Sequence, residues 1–302
     1  MSLADLVSFL ESTPASFSLA ELMRGASRGG VRAAITRGEI TRVLPDRYAA
    51  SLHAESWAVR SHAAAMWGPD GCALTGAGAL FDAGLLPLPP AVVDLRVPRW
   101  RHRPSAPWLR ITSTTYVPPV VLTRPDGATL VDSALALVHA YGRAPERERA
   151  ELVYRLTRSN LVDPEAVRLH LDSLPRARGR ASLLRRCALA QDGVESYLEE
   201  RGAEEILVGR GFESIVRQHR LRVRGELFRL DAYDAQTRTA VEFDGSEFHA
   251  EPAQRVRDIR RDATLATIGI LTLRFGYGDV EQRPDWCRDM VRDTLEARRL
   301  ST

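Results

Sequence analysis

The sequence predicts an α+β chain of several domains, and three observations carry that expectation. The first fifty residues combine dense helix-start signals with a short alternating hairpin. A mixed run of helical and extended segments follows. From Asp192 onward the pattern settles into the order α-β-β-β-α-β-α. At 302 residues the chain has room for two or three hydrophobic cores. The expected divisions are 1–55, 56–190 and 191–302.

Composition narrows the class. Hydrophobic content of 44% and charged content of 27% are those of an ordinary globular protein. No apolar run reaches the roughly 18 residues that would span a bilayer. The start, Met1-Ser2-Leu3-Ala4-Asp5, lacks the basic segment and long apolar stretch of a secretory signal. A cytoplasmic protein with no membrane partner is expected. Cys72, Cys187 and Cys287 are scattered, with no CxxC or Cys/His cluster, so they read as small buried hydrophobes and not as zinc ligands. All 42 basic residues are arginines. Arginine clamps phosphate but is a poor proton acceptor, so any site here works without a lysine. A net charge of +3 permits a local basic patch without demanding one.

The N-terminal elements follow from local signals. In Phe17-Ser18-Leu19-Ala20-Glu21-Leu22, Ser18 caps, Glu21 reaches back and Phe17 staples onto Leu22. Gly25 ends that helix. Ser27 opens a second one, with Val31, Ala34 and Ile35 on its apolar face and Gly38 as its stop. Arg28, Arg32 and Arg37 fall largely on the other face. Residues 40–44, a Pro45-Asp46 turn and residues 47–50 read as a two-stranded wing carrying Arg42. Helix, turn, basic helix and wing together predict a winged helix-turn-helix. Its basic helix would lie in the major groove of double-stranded DNA, with the wing on the backbone.

The middle is expected to be mixed α/β. Residues 57–67 are apolar, Ala-rich and helical in pattern. Gly76-Ala77-Gly78-Ala79-Leu80-Phe81 opens another helix. Residues 92–97 and 109–112 read as strands on either side of the loop Trp100-Arg101-His102-Arg103-Pro104. Gly127-Ala128-Thr129-Leu130-Val131-Asp132 is expected to start a helical run reaching about residue 190, punctuated by Pro164 and Pro175. The five arginines of 176–186 read as a solvated helix face.

The C-terminal third carries the chemistry. A helix is expected over 194–210, ending at Gly211. Strands follow at 214–222, 226–233 and 238–244, then a helix from Pro252 to Gly269, a strand over 270–275 and a helix over 285–299. Phe228, Leu230 and Ala232 are expected on one face of the middle strand, with Arg229, Asp231 and Tyr233 on the other. If the hairpin loop is Ala235-Gln236-Thr237-Arg238, Asp234 pairs with Thr239 and Asp231 lies opposite Glu242. Cross-strand partners have Cβ atoms roughly 5 Å apart. Carboxylates that close repel unless a proton or cation intervenes. Hard Mg²⁺ or Mn²⁺ suits such oxygen donors. Asp244 extends the face by two positions, and Gly245 follows it as a sharp turn. The competing interpretation is an exposed polar hairpin face.

These residues resemble the PD-(D/E)xK nuclease superfamily, and within it the branch related to very-short-patch-repair (Vsr) endonucleases. The resemblance runs in order over about 190–282. It takes in Glu199 of Ser196-Tyr197-Leu198-Glu199, then Asp231, then Glu242-Phe243-Asp244-Gly245 with His249. Asp258 and Arg261 follow on a helix, then Leu265 and Gly269, and Arg274 at a strand end. The resemblance implies a restriction-endonuclease-like αβββαβ core. Asp231, Glu242 and Asp244 would serve as metal ligands, Glu199 would assist, and His249 would polarise water. The superfamily's usual lysine is absent and Asp244 stands in its place, as is common in this branch. Residues 1 to about 190 resemble the AbiEi family of type IV antitoxins, which are winged-helix regulators. That similarity rests on Phe17-Ser18-Leu19-Ala20-Glu21-Leu22, on Arg37-Gly38-Glu39-Ile40-Thr41-Arg42-Val43, on Tyr48-Ala49 and on Ala73-Leu74-Thr75-Gly76-Ala77-Gly78-Ala79-Leu80.

Two functions are therefore expected to compete. One is a metal-dependent DNA endonuclease guided by a winged helix, with Arg261 or Arg274 neutralising developing charge. The other is a non-catalytic DNA-binding regulator or antitoxin with a toxin or other protein partner. An open cleft gathering Asp231, Glu242 and His249 favours the first; an arginine closing over the acids favours the second.

Overall fold

The computed structural model describes residues 2–98, 106–244 and 252–300. The fold is mixed α+β and divides into two compact units. The first comprises Met1–Pro145 with Ser159–Leu184, and the second Glu146–Arg158 with Arg185–Thr302. Among the described residues no helix is long and apolar enough to cross a membrane.

The first unit opens with α1 (Leu3–Ser12), α2 (Leu19–Gly25) and α3 (Arg28–Thr36). Ser2 with Asp5, and Ser18 with Glu21, form reciprocal capping boxes, and Ser27 caps α3. Strands β1 (Ile40–Leu44) and β2 (Arg47–Ala50) pair antiparallel, Ile40 opposite Ala50. Asp46 turns the hairpin at φ 55°, and its carboxylate accepts the Leu19 N–H at 3.0 Å, tying the turn to the start of α2. Leu6, Leu10, Leu22, Val31, Ala34 and Ile40 form the core beneath.

Next come α4 (Trp57–Trp67), β3 (Ala73–Thr75), α5 (Gly76–Asp82), β4 (Val93–Val97), β5 (Leu109–Ser113), β6 (Val121–Thr123) and β7 (Thr129–Val131). The strands form one sheet in the order β5-β4-β3-β7-β6. Helix α6 (Ser133–Tyr141) follows in this unit; α7 (Glu146–Arg158) belongs to the second unit, α8 (Pro164–Ser173) to the first, and most of α9 (Arg180–Gln191) to the second. The expected helix start at 127–132 is instead the tail of a hairpin. Gly127, at φ 87°, makes the turn, and the β-branched ends of Thr129–Val131 suit a strand. Asp132 then caps α6 by accepting the Ala134 and Leu135 N–H groups at 3.0 Å each. The loop over Trp100 to Pro104 lies outside the described residues.

In the second unit, α10 (Tyr197–Arg201) passes into a π-helical turn (Gly202–Ile206). The expected helix over 194–210 is therefore shorter. Ser196 caps it late, and Gly209 and Gly211 at φ 95° and 97° turn the chain away. Strands β8 (Ile215–Val223), β9 (Glu226–Asp234) and β10 (Thr239–Asp244) lead to α11 (Pro252–Ala266) and β11 (Leu271–Gly276). The short α12 (Tyr277–Gln282) and the long α13 (Pro284–Arg299) close the chain. Sheet order is β11-β10-β9-β8, with β10 and β11 parallel. Two cores sandwich the sheet. Val241 and Phe243 pack with Leu198, Phe275 and Val291, while Ala240 packs with Leu230, Leu265 and Ile270.

The arginine stretch at 176–186 departs from a uniformly solvated face at Arg186, which is 1% exposed. Its Nε donates to Glu200 Oε2 at 2.9 Å and its Nη2 to Glu146 Oε1 at 2.6 Å, while Tyr154 OH donates to the same Glu200 oxygen at 2.8 Å. A buried guanidinium is tolerated only when its charge is matched in this way.

Candidate active site

The β9–β10 hairpin has the register that turn chemistry dictates. Asp234 lies opposite Thr239, Tyr233 opposite Ala240 and Ala232 opposite Val241. Asp234 holds the turn by accepting the Thr237 N–H at 2.8 Å. At the next step the ladder stops. Instead of a backbone bond, the Phe243 N–H donates to the Asp231 side chain, Oδ2, at 2.9 Å. The pairing with β8 also skips this point, since Arg217 pairs with Ala232 and His219 with Leu230. Gln218 between them is left-handed, at φ 51°. Asp231 therefore sits at a kink shared by three strands. The kink reverses the expected facing of side chains. Phe228 and Leu230 pack with Leu265, but Ala232 packs with Val241 on the other face.

The kink brings acids from separate elements together. Glu199 of α10, Asp231 of β9 and Glu242 of β10 line one cleft of about 300 Å³ with Asp244, Asp258 and three arginines, Arg229, Arg261 and Arg274. Glu199 Oε2 accepts the Glu195 N–H at 2.9 Å and Gln218 Nε2 at 3.0 Å. Arg261 Nη2 donates to Glu242 Oε1 at 3.0 Å and also to the Arg229 carbonyl. Among the described residues Arg261 Nε is buried without a partner. Arg274 lies beside Glu242 in the parallel ladder, 3.4 Å from Asp244 Oδ2 and 3.0 Å from Asp262 Oδ1. Arg229 pairs with Glu195.

The three inner acids hold their protons tightly. Burial, then the charge of Asp231, raises Glu199 to about 8. The same two causes raise Glu242 to about 7, with Arg261 opposing. Burial raises Asp231, against the Phe243 N–H and the arginines. Among the described residues Asp231 makes no ion pair, and neither Asp231 Oδ1 nor Glu242 Oε2 has a hydrogen-bond partner. The donor chemistry, carboxylate oxygens short of positive charge, fits a hard divalent cation. In this side-chain arrangement, however, no three His, Cys, Asp or Glu groups among the described residues are gathered about one point as metal ligands. His249 and Gly245 lie outside the described residues.

Of the expected site residues, Glu199, Asp231, Glu242, Asp244, Arg261 and Arg274 all line this cleft. Sequence reasoning missed Gln218 and Glu195, which orient Glu199 and Arg229. Nothing local marks a left-handed glutamine in advance.

In the other unit, Arg28, Arg32, Arg37 and Arg42 are all exposed. Arg37 is clasped by Glu39, with Nε and Nη2 at 2.9 and 2.8 Å from the two carboxylate oxygens. Arg42 Nε reaches the Leu44 carbonyl at 3.4 Å. Among the described residues Arg28 and Arg32 carry no ion pair. No protein-family model matches the chain, and a comparison with curated proteins found no match.

Proposed function

We propose that the second unit is a DNA endonuclease assisted by Mg²⁺ or Mn²⁺, and that the N-terminal helices and hairpin act as a winged helix that binds duplex DNA. One observation carries this interpretation: Glu199, Asp231 and Glu242 converge, short of counter-charge, on a cleft that also holds Arg229, Arg261 and Arg274. The order-preserving resemblance of 190–282 to Vsr-like nucleases supports it. So do Arg28 and Arg32 on α3, which are exposed and in no ion pair among the described residues.

Asp231 and Glu242 would hold the cation through their unengaged oxygens, with Asp244 beside them. When bound, such a cation draws charge from the phosphate and lowers the pKa of an attacking water. A cation on Asp231 would offset the charge that, after burial, does most to keep Glu199 protonated, and the carboxylate so released would be suited to take the water's proton. Arg261 and Arg274, which line the cleft, would stabilise charge developing on a phosphate oxygen in the transition state.

A second interpretation, a non-catalytic DNA-binding regulator or antitoxin with a toxin partner, is favoured by the Arg261–Glu242 and Arg274–Asp244 pairs. Those pairs neutralise part of the acidic cluster without any cation. Supercoiled plasmid incubated with the protein and Mg²⁺ or Mn²⁺, beside Asp231→Ala, separates the two. Nicking or linearisation lost in the variant supports hydrolysis. An intact plasmid with both cations, or equal cutting by both proteins, removes the endonuclease assignment.

A further inference from the structure

The first unit holds a second cavity, of about 650 Å³, between the end of β5, helix α6 and the turn after α8. Its wall carries three arginines, Arg143, Arg176 and Arg178, and no aspartate or glutamate among the described lining residues. Arg176 and Arg178 are exposed and make no ion pair among the described residues. Arg143 donates to Thr112 Oγ1 at 2.8 Å and lies 3.4 Å from Asp94, a carboxylate it shares with Arg110 at 3.5 Å. Positive charge therefore exceeds negative charge here, and it belongs to side chains that stay protonated.

Beside the arginines runs a string of hydroxyls, Thr112, Ser113, Thr114 and Thr115. Tyr116, the residue that follows the string, is fixed from behind. Tyr116 OH lies 2.7 Å from His170 Nδ1, and His170 Nε2 lies 3.1 Å from Asp132, the cap of α6. The buried Arg96 donates to the Tyr116 carbonyl and, at 2.8 Å, to that of Gly71. A wall held this way loses little freedom when a ligand arrives. His139 adds a neutral imidazole, since burial depresses its pKa to about 4. The remaining wall is apolar, with Val138, Leu174 and Pro175.

We propose that this cavity binds a phosphorylated small molecule of nucleotide size. Its phosphates would lie on Arg143, Arg176 and Arg178 and the hydroxyl string, and its apolar or aromatic body against Val138, Leu174 and Pro175. The guanidinium fork matches phosphate oxygens two at a time. The volume falls within the roughly 300–1,000 Å³ of small-ligand sites and far exceeds a bare phosphate. Duplex DNA would use the arginines but leave the apolar wall without a role.

Titration calorimetry on the full chain tests this with ATP, adenosine, inorganic phosphate and a short DNA duplex as probes. ATP is expected to bind and adenosine not to bind. Arg176→Ala with Arg178→Ala is expected to weaken ATP at least tenfold, with an unchanged circular dichroism spectrum. Ser173→Trp, which fills the exposed rim and keeps the arginines, is expected to weaken ATP similarly. Absence of ATP binding, binding of adenosine as tight as ATP, or ATP binding unchanged in both variants overturns the proposal. Loss of duplex binding in the double variant, without any ATP binding by the parent, assigns the arginines to DNA instead. The endonuclease assay reads a different unit, so either result stands without the other.

Discussion

Replacing Glu199 by glutamine is expected to stabilise the second unit above neutral pH. The native carboxyl holds its proton up to about 8, because it is buried and faces Asp231, whereas the unfolded chain releases it near 4.5. Between those values the folded state binds more protons than the unfolded state. Stability therefore falls as pH rises through that window and is fully retained only below it. Each tenfold change in proton affinity is worth about 1.36 kcal/mol, so the ceiling is about 5 kcal/mol. Asp231 and Glu242 titrate together with Glu199, so one substitution recovers roughly half, about 2–3 kcal/mol. Glutamine keeps the geometry, since its oxygen can still accept from the Glu195 N–H and Gln218 Nε2. The readout is amide exchange by mass spectrometry across β10, which reports on this unit alone. At pH 8 exchange in the variant should slow by roughly 30- to 150-fold, and near pH 4.5 the two chains should match. Equal protection at pH 8 would refute the reasoning. A gain of the same size at both pH values would refute it too, because it would come from packing and not from charge.

Two further outcomes follow from the geometry. Changing Arg28 and Arg32 to alanine is expected to flatten the dependence of log binding constant on log salt by roughly 1.8 on any duplex, followed by fluorescence anisotropy. An unchanged slope moves the phosphate contacts off α3. Gly202→Ala places a Cβ 2.2 Å from Phe243 Cε2 in the core. It is expected to destabilise the second unit by about 1–3 kcal/mol in denaturant unfolding, and wild-type stability would mean that the ring has room to move.

The sequence by itself determined what depends on neighbours a few positions apart. Ser18 and Ser27 announced their helices because a capping hydroxyl meets an amide three residues on. The four-residue turn after Asp234 fixed the β9–β10 register, and so put Asp231 and Glu242 at adjoining positions on neighbouring strands. Tertiary structure decided the rest, because it depends on groups far apart in the chain. The Phe243 amide bonds to a side chain twelve residues away and not to a strand backbone. A left-handed Gln218 reaches Glu199, nineteen residues distant, and so turns a lone helix acid into part of the cleft. Burial of Arg186 required Glu146, forty residues upstream. Charge density near Asp231 could be read from the letters. How much of it is neutralised by arginine and how much by protons depends on distances and burial that exist only once the chain has folded.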